Sequence, residues 1–386
     1  DWLSLQISVG FSVKSEGLPY SESGRSATDF LEKVHNTDRA YDDQARFMAG
    51  LPGKIGSPYL ARENLPAWRT HQDKMGLAWQ KTMTNRLQKF ADWSAAERKN
   101  HNIPDRVVLY PFSGPDTPSM LALYPNAPLY VMAGLERPGL FPNYLQWNDQ
   151  ALSLALMHID RALSDLFVRS YFITSHMLKH LQEGQAEGTV PLMSLFLVMQ
   201  GYEIINVFDL EYTPEGKFRQ IPFGQLDRRA PVLFARIVFR RSPDRAGSSR
   251  EQSILYFRAN LADEKATLNP AIMQFLSRLP PANCFLKSAA YMLHSPNFNV
   301  VRTTLLDRCQ ALLQDDSGIA LKFFAPEKWK LKIYGSYARP IASFSGWTYQ
   351  ADLASLYQSQ SATPLPFNMG YHWQDGAQNL MLALRQ

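Results

Sequence analysis

The pattern of apolar and polar positions divides the chain into a helical first part and a mixed remainder. Over residues 67–98, large apolar side chains recur every three or four positions, which predicts a long amphipathic helix or helix pair. Residues 27–49 have a similar spacing and are also predicted to be helical. Short β-rich runs alternate with helical stretches later in the chain. We therefore expect a mostly helical N-terminal extension over residues 1–100 and one elaborated α/β domain over residues 101–386.

Two apolar runs, separated by a turn and a short helix, form the most informative stretch. Residues 107–112 are mostly Val, Leu, Tyr and Phe, which is typical of a strand buried on both faces. The turn Ser113–Asp116 ends this run, and Leu129–Ala133 is the second run. Two parallel strands need a crossover of this kind between them. The stretch therefore predicts two adjacent parallel strands in one sheet.

Later segments complete the predicted sheet. Residues 203–212 are predicted to be a strand, and residues 231–241 and 251–261 an antiparallel hairpin. A helix is predicted over residues 299–313, and a β-rich run over residues 319–324. Antiparallel hairpins beside parallel strands are common in mixed sheets. The predicted fold is α/β, with a Rossmann-like mixed, mostly parallel sheet, flanking helices, an antiparallel hairpin and the helical N-terminal extension.

Polar groups gather where the two central strands end. Ser113, Gly114 and Asp116 follow the first strand, and Glu136 follows the second. Ligands of open α/β sheets bind outside the carboxyl ends of the strands, and amides at a helix N-terminus favour anionic or hydroxyl-rich groups. We expect these four residues to bind a ligand, with Glu136 accepting hydrogen bonds from hydroxyls or pairing with a cation. In the competing interpretation, Asp116 only caps a helix and Glu136 only pairs with a surface cation.

The stretch RVVLYPFSGPDTPSMLALYPNAPLYVMAGLE resembles the start of a Rossmann-like class I methyltransferase domain. In that family a glycine-rich turn follows the first strand, and an acid at the end of the second strand binds a ribose. Gly114 matches one turn glycine and Glu136 matches the acid. Residues 110–112 replace the usual acid before the turn, and Asp116 replaces a further glycine. The resemblance covers residues 106–136 and implies the fold and a nucleotide-like cofactor, although the sequence identifies no particular cofactor.

A second acidic turn, Gln314–Gly318, contains Asp315 and Asp316. Adjacent acids in a turn ordinarily face water and cap backbone amides; alternatively, they hold a cation or activate water. Together with Asp116 and Glu136 they give four candidate catalytic carboxylates. Such carboxylates can supply the acid and the base for hydrolysis of a glycan or a similar polymer.

Histidine and cysteine patterns give no metal site. His176 and His180 share one helix face, but the segment HMLKH lacks the Glu of a metalloprotease, and no zinc-type spacing occurs. We predict a solvated or packing role for these histidines. The only two cysteines, Cys284 and Cys309, permit one disulfide, which is consistent with an oxidising compartment.

Charge and hydropathy limit the partners. The 386 residues carry a net charge of +5 and contain no long basic block, so a nucleic-acid partner has no clear support. A protein or an anionic envelope surface fits the mildly basic balance. No apolar run is long enough to predict a transmembrane segment. A chain that begins at Asp1 fits a processed exported protein, and equally a shortened chain; we expect a periplasmic or extracellular location.

Two classes of function remain. The first is an exported protein with a degenerate Rossmann-like domain, which binds a ligand or partner as an accessory component of an envelope or extracellular assembly. The second is an enzyme, either a carboxylate-dependent hydrolase or a divergent group transferase acting on a glycan or similar polar substrate. The replaced turn glycine favours the first class. Clustering of all four candidate acids in one cleft would favour the second.

Overall fold

Ten β-strands form one sheet at the centre of the molecule. The computed structural model describes residues 28–169, 188–230, 232–242, 250–267, 269–344, 348–373 and 376–386. The strands are β1 (Val107–Tyr110), β2 (Leu129–Gly134), β3 (Tyr202–Tyr212), β4 (Phe218–Pro222), β5 (Leu233–Arg241), β6 (Gln252–Arg258), β7 (Ala282–Leu286), β8 (Cys309–Gln314), β9 (Trp329–Gly335) and β10 (Asn379–Arg385).

The strands lie in the order β4-β3-β5-β6-β2-β1-β7-β8-β10-β9. The five central strands, from β6 to β8, are parallel, and antiparallel strands extend the sheet at both edges. Among the described strands, four pairings are parallel and five are antiparallel. The prediction of a mixed sheet is confirmed, but "mostly parallel" is wrong, because β3, β4 and β5 at one edge and β9 and β10 at the other add antiparallel pairs.

The predicted pair at the centre is confirmed. Strands β1 and β2 run parallel, with Val108 opposite Tyr130. Their side chains alternate between two apolar cores, so that Val108 and Tyr110 face one side of the sheet and Val107 and Leu109 the other. Burial on both faces explains why these strands are continuous apolar runs. The hairpin prediction also holds, since β5 and β6 pair antiparallel.

Helices cover both faces of the sheet and complete the two cores. The apolar stripe of the N-terminal segment packs into the first core, where Trp68, Met75 and Phe90 are buried. The division at residue 100 remains a prediction, although the helices before it share this core with the sheet. The helices are α1 (Arg39–Met48), α2 (Pro66–Thr82), α3 (Gln88–Asn100), α4 (Thr117–Leu123), α5 (Asp149–Arg169), α6 (Thr189–Met199), α7 (Asp263–Thr267), α8 (Pro270–Ser277), α9 (Asn299–Arg308) and α10 (Ala351–Ser359).

Helix α1 begins later than the periodicity predicts. Its N-cap is Asp38, whose side chain accepts a hydrogen bond from the amide of Ala40. Before that residue, the chain lies along the sheet edge, where Leu31 forms an isolated bridge with Phe218. The amide of Asp38 itself donates to the carbonyl of Ile205 on β3. In the described residues before Asp38, contacts with the sheet therefore replace the predicted helix.

Two predictions around the second acidic turn are wrong. The predicted helix 299–313 ends at Arg308, and its last residues form the buried strand β8. A continuous apolar run satisfies either a helix or a fully buried strand, so periodicity could not separate them. Residues 321–323 form a 3₁₀ turn, not a strand. The sheet edge beside β8 is already occupied by β10, which leaves this run no strand to pair with.

Candidate functional site

A cavity of about 520 Å³ lies at the carboxyl ends of the central parallel strands. Its walls come from the segments that follow β1, β2, β6 and β7, with Tyr371 from the C-terminal part. The strand order reverses here, because the chain proceeds from β1 outward to β2 and β6 and then returns to β7 on the other side of β1. Open α/β sheets bind ligands at such a reversal, in cavities of roughly 300–1,000 Å³.

Backbone strain is concentrated around this cavity. Phe112 (φ 59°) after β1 and Ser288 (φ 53°) and Ala290 (φ 51°) after β7 line it, and Tyr291 (φ 55°) follows directly. Elsewhere in the described part of the chain, Asn102 is the only other non-glycine residue with positive φ. Each such residue costs about 1–3 kcal/mol and persists only where its surroundings hold it. Strain of this kind clusters at ligand sites, and no local sequence pattern predicts it at these residues.

The four residues predicted to bind a ligand, Ser113, Gly114, Asp116 and Glu136, all line this one cavity. Gly114 has a φ of 51°, and a Cβ added there would meet no atom within 4 Å. The turn after β1 is therefore open on its cavity side, and a ligand can approach its backbone closely.

Asp116 is engaged in a buried ion pair. Its Oδ2 lies 2.5 Å from Nζ of Lys287 and accepts a hydrogen bond from the Tyr110 hydroxyl at 2.8 Å. Its Oδ1 accepts from the amide of Ser119 at 3.4 Å, so Asp116 also caps α4. Burial lowers the pKa of Lys287, and the charge of Asp116 opposes that shift.

Two consequences follow for the turn after β1. The helix-cap interpretation of Asp116 is correct as far as it goes, but the same carboxylate also neutralises a buried cation in the cavity wall. Because Asp116 already occupies the N-terminus of α4, that helix end offers no vacant place for an anionic ligand group. The expectation of an anion at this position therefore finds no support in the geometry.

Glu136 is buried at the end of β2, with 8% of its surface exposed. Gly134 makes room for it, since a Cβ at that position would collide with Oε2 of Glu136 and lie 2.9 Å from the Tyr256 hydroxyl. Tyr256 donates a hydrogen bond to the backbone carbonyl of Glu136 at 2.7 Å. Burial raises the pKa of Tyr256, and the charge of Glu136 raises it further. Glu136 thus has a defined position in the cavity wall.

Asp315 and Asp316 do not line the cavity; they lie behind the loop that follows β7. Oδ2 of Asp315 accepts from the amide of Ser288 at 2.9 Å, and Oδ2 of Asp316 accepts from the Tyr291 hydroxyl at 2.6 Å. Burial, together with the charge of Asp316, raises the pKa of Asp315 to about 6. The structure therefore brings together two of the four candidate catalytic acids and places the other two in a supporting position.

Sequence reasoning missed Lys287 and Tyr256. Lys287 is a cation placed directly after the apolar run Ala282–Leu286, so recognising that run as strand β7 would have put it on the same rim as Asp116. Tyr256 is an interior residue of β6, and nothing in its neighbourhood of the sequence distinguishes it from other core tyrosines.

The remaining candidates are placed as follows. Cys284 and Cys309 are buried and unbridged, on neighbouring strands. His176 and His180 lie outside the described residues. Within the described ranges, no group of three His, Cys, Asp or Glu residues is arranged to hold a metal ion. No helix in those ranges is both long enough and apolar enough to span a membrane.

Comparison with known proteins does not extend this picture: no protein-family model, no curated protein and no solved structure matches the chain.

Proposed function

We propose that the cavity binds a ribose-bearing, nucleoside-type ligand and that the chain uses this ligand in group transfer, as a divergent Rossmann-like transferase. The observation that carries the proposal is the position of Glu136. Its carboxylate lies at the end of β2, in the same cavity as the turn after β1 and at the reversal of strand order. An acid at this place is suited to accept hydrogen bonds from ribose hydroxyls.

The strand order supports the same proposal. Counted along the chain, the five parallel strands β1, β2, β6, β7 and β8 lie in the order 3-2-1-4-5, which is the order of the first five strands of the doubly wound dinucleotide fold. The antiparallel strand β10 then lies between β8 and β9.

The charges of the wall favour a neutral or cationic ligand. Among the described residues that line the cavity, the charged ones are Asp116, Glu136 and Lys287, so the wall has two acidic side chains and one basic side chain. S-adenosylmethionine, which supplies an activated methyl group when bound, has this charge character in its sulfonium. In the proposed role, Glu136 orients the ribose, the open turn at Gly114 admits the rest of the ligand, and the buried wall excludes water.

Hydrolysis by paired carboxylates has less support. The oxygens of Asp315 and Asp316 accept hydrogen bonds from the loop after β7, and Asp116 is paired with Lys287. None of these three acids is presented to a substrate as a separate acid or base. An accessory binding role without turnover would use the same cavity and the same ligand. An exported location and an anionic envelope partner remain expectations from the sequence, to which the unbridged cysteines add nothing.

The test is calorimetric titration of the protein with adenosine and with S-adenosylmethionine. We expect binding of one or both, and a loss of at least about tenfold in affinity for Glu136→Gln, since a hydrogen bond to a charged group contributes about 1.5–3 kcal/mol. Glu211→Gln is the matched control, because Glu211 is an exposed acid on β3 that pairs with Arg219. The proposal is wrong if neither compound binds, or if Glu136→Gln binds as tightly as the wild type.

A further inference from the structure

The loop after β7 is held from behind by the second acidic turn. Three of its residues, Ser288, Ala290 and Tyr291, have left-handed backbone conformations. The amide of Ser288 donates to Oδ2 of Asp315 at 2.9 Å, and the amide of Ala289 donates to Oγ of Ser317 at 2.8 Å. Two consecutive amides of the strained loop therefore find their acceptors in one turn.

Asp315 organises both of these contacts. Its Oδ2 accepts a hydrogen bond from the amide of Ser288, and its Oδ1 accepts from the amide of Ser317 at 3.0 Å and also from the Ser317 hydroxyl. The Ser317 hydroxyl is thereby oriented so that its oxygen faces Ala289. A carboxylate can accept from all of these donors at once, whereas an amide side chain has only one accepting oxygen.

We propose that Asp315 is a positioning residue of the cavity, which holds the left-handed loop after β7 in its binding shape and so sets ligand affinity without touching the ligand. The proposal rests on the proposed function in one respect, that the ligand occupies this cavity. The loop contributes Ser288, Ala289 and Ala290 to the cavity wall. Released from its acceptors, this backbone would relax towards ordinary conformations and change the wall.

The groups around Asp315 predict that ligand affinity depends on pH. Asp316 on its own turn, Lys287 and Tyr291 from the loop after β7, and Tyr110 from β1 act on it electrostatically. His294 and His372 face the neighbouring Asp316. Burial raises the pKa of Asp315 to about 6. An ionised carboxylate accepts stronger hydrogen bonds than a protonated one, so affinity should rise as the pH increases through about 6.

The experiment compares Asp315→Asn with the wild type, using adenosine as the probe. We expect Asp315→Asn to bind adenosine about tenfold more weakly at pH 7.5, to lose the rise of affinity around pH 6, and to exchange amide hydrogens faster at residues 288–291. Asp209→Asn is the control. Asp209 is a fully buried carboxylate that accepts from the amides of Gly224 and Leu226, and it does not line the cavity. It should lose stability and keep the wild-type affinity.

Ser317→Ala is the second variant, in case Asp315→Asn does not fold. It removes the acceptor of Ala289 and should speed exchange in the same loop and weaken binding. The positioning role is overturned if the folded variants bind adenosine with wild-type affinity, or if residues 288–291 exchange as in the wild type. Should the wild type itself not bind adenosine, the proposed ligand class fails, and hydrogen exchange alone still decides whether Asp315 holds the loop.

Discussion

Two acidic turns at the ends of parallel strands look alike in the sequence and differ in the structure. The turn after β1 presents Asp116 to the cavity, with Glu136 beside it at the end of β2. The turn after β8 directs Asp315 and Asp316 away from the cavity, into the loop after β7. All four acids are buried, so burial does not distinguish them.

What distinguishes them is the partner of each carboxylate. Asp116 pairs with the cation Lys287, and Glu136 lies against the open cavity, whereas Asp315 accepts from backbone amides and Asp316 from a tyrosine hydroxyl. The first turn therefore forms the wall that a ligand would meet, and the second fixes the shape of that wall. Burial and a position at a strand end therefore do not identify a ligand-contacting acid by themselves; whether its residue lines the cavity or lies behind the wall makes the difference.

The largest effect is expected from Lys287→Met. The substitution leaves the buried Asp116 without its ion-pair partner, and breaking a buried pair on one side costs about 3–5 kcal/mol. Urea unfolding measures the free energy directly. Lys74→Met, in which an exposed cation is removed from α2, should change stability by less than about 1 kcal/mol. Equal losses in the two variants would show that the Asp116–Lys287 pair has no special role.

A smaller effect is expected from Gly134→Ala. The added methyl group would collide with Glu136 and the Tyr256 hydroxyl, so we expect a loss of about 1–3 kcal/mol in stability and weaker adenosine binding. Gly76→Ala is the control, since a Cβ at this helical position meets no atom within 4 Å and should stabilise the protein by about 0.5–1 kcal/mol. Unchanged adenosine affinity in Gly134→Ala would contradict a contact between Glu136 and the ligand.

The smallest effect is expected in the pH dependence of stability, to which Asp315 and His294 contribute with opposite sign. Burial raises the pKa of Asp315 from 3.8 to about 6, so its contribution to stability is complete below about pH 4 and is lost as the pH rises through 6. Burial lowers the pKa of His294 from 6.5 to about 4, so its contribution is present above about pH 6.5 and is lost as the pH falls through 4. Between pH 4 and 6 the two oppose each other.

Removing either group should reveal the pH dependence of stability that the other group contributes. On acidification from pH 6.5 to 4.5, the unfolding free energy of Asp315→Asn should fall relative to the wild type, and that of His294→Gln should rise. Each slope is limited to about 1.4 kcal/mol per pH unit, the value for one proton. Chemical unfolding at several pH values measures both curves. Slopes of the same sign would contradict the assignment of the two shifts.

The sequence predicts the centre of the fold well because the centre follows local rules. Residues 107–110 and 129–134 are buried on both sides, and such strands are recognisable as continuous apolar runs. The edges depend on contacts between distant segments. The apolar pattern of β8 predicts the end of a helix, because only β10, far along the chain, shows that a strand is needed there.

The sequence predicts part of the candidate site because that part also follows local rules. Ser113, Gly114, Asp116 and Glu136 lie in one short segment, whose turn chemistry and strand ends can be inferred locally. Lys287 reaches Asp116 across 171 positions of the sequence, and the strain at Ser288, Ala290 and Tyr291 is imposed by a turn on another strand. Recognising β7 would place Lys287 on the rim, but no local pattern encodes its pairing with Asp116 or the supporting role of Asp315.

The central claim is that Glu136 and the turn after β1 form a nucleoside site. A crystal structure of the wild-type protein with adenosine tests it most directly. We expect the ribose hydroxyls to lie within hydrogen-bond distance, about 2.5–3.0 Å, of the Glu136 carboxylate, with the ligand between the turn at Gly114 and the loop after β7. Adenosine bound elsewhere on the protein, with the cavity holding only water at saturating ligand, would contradict it.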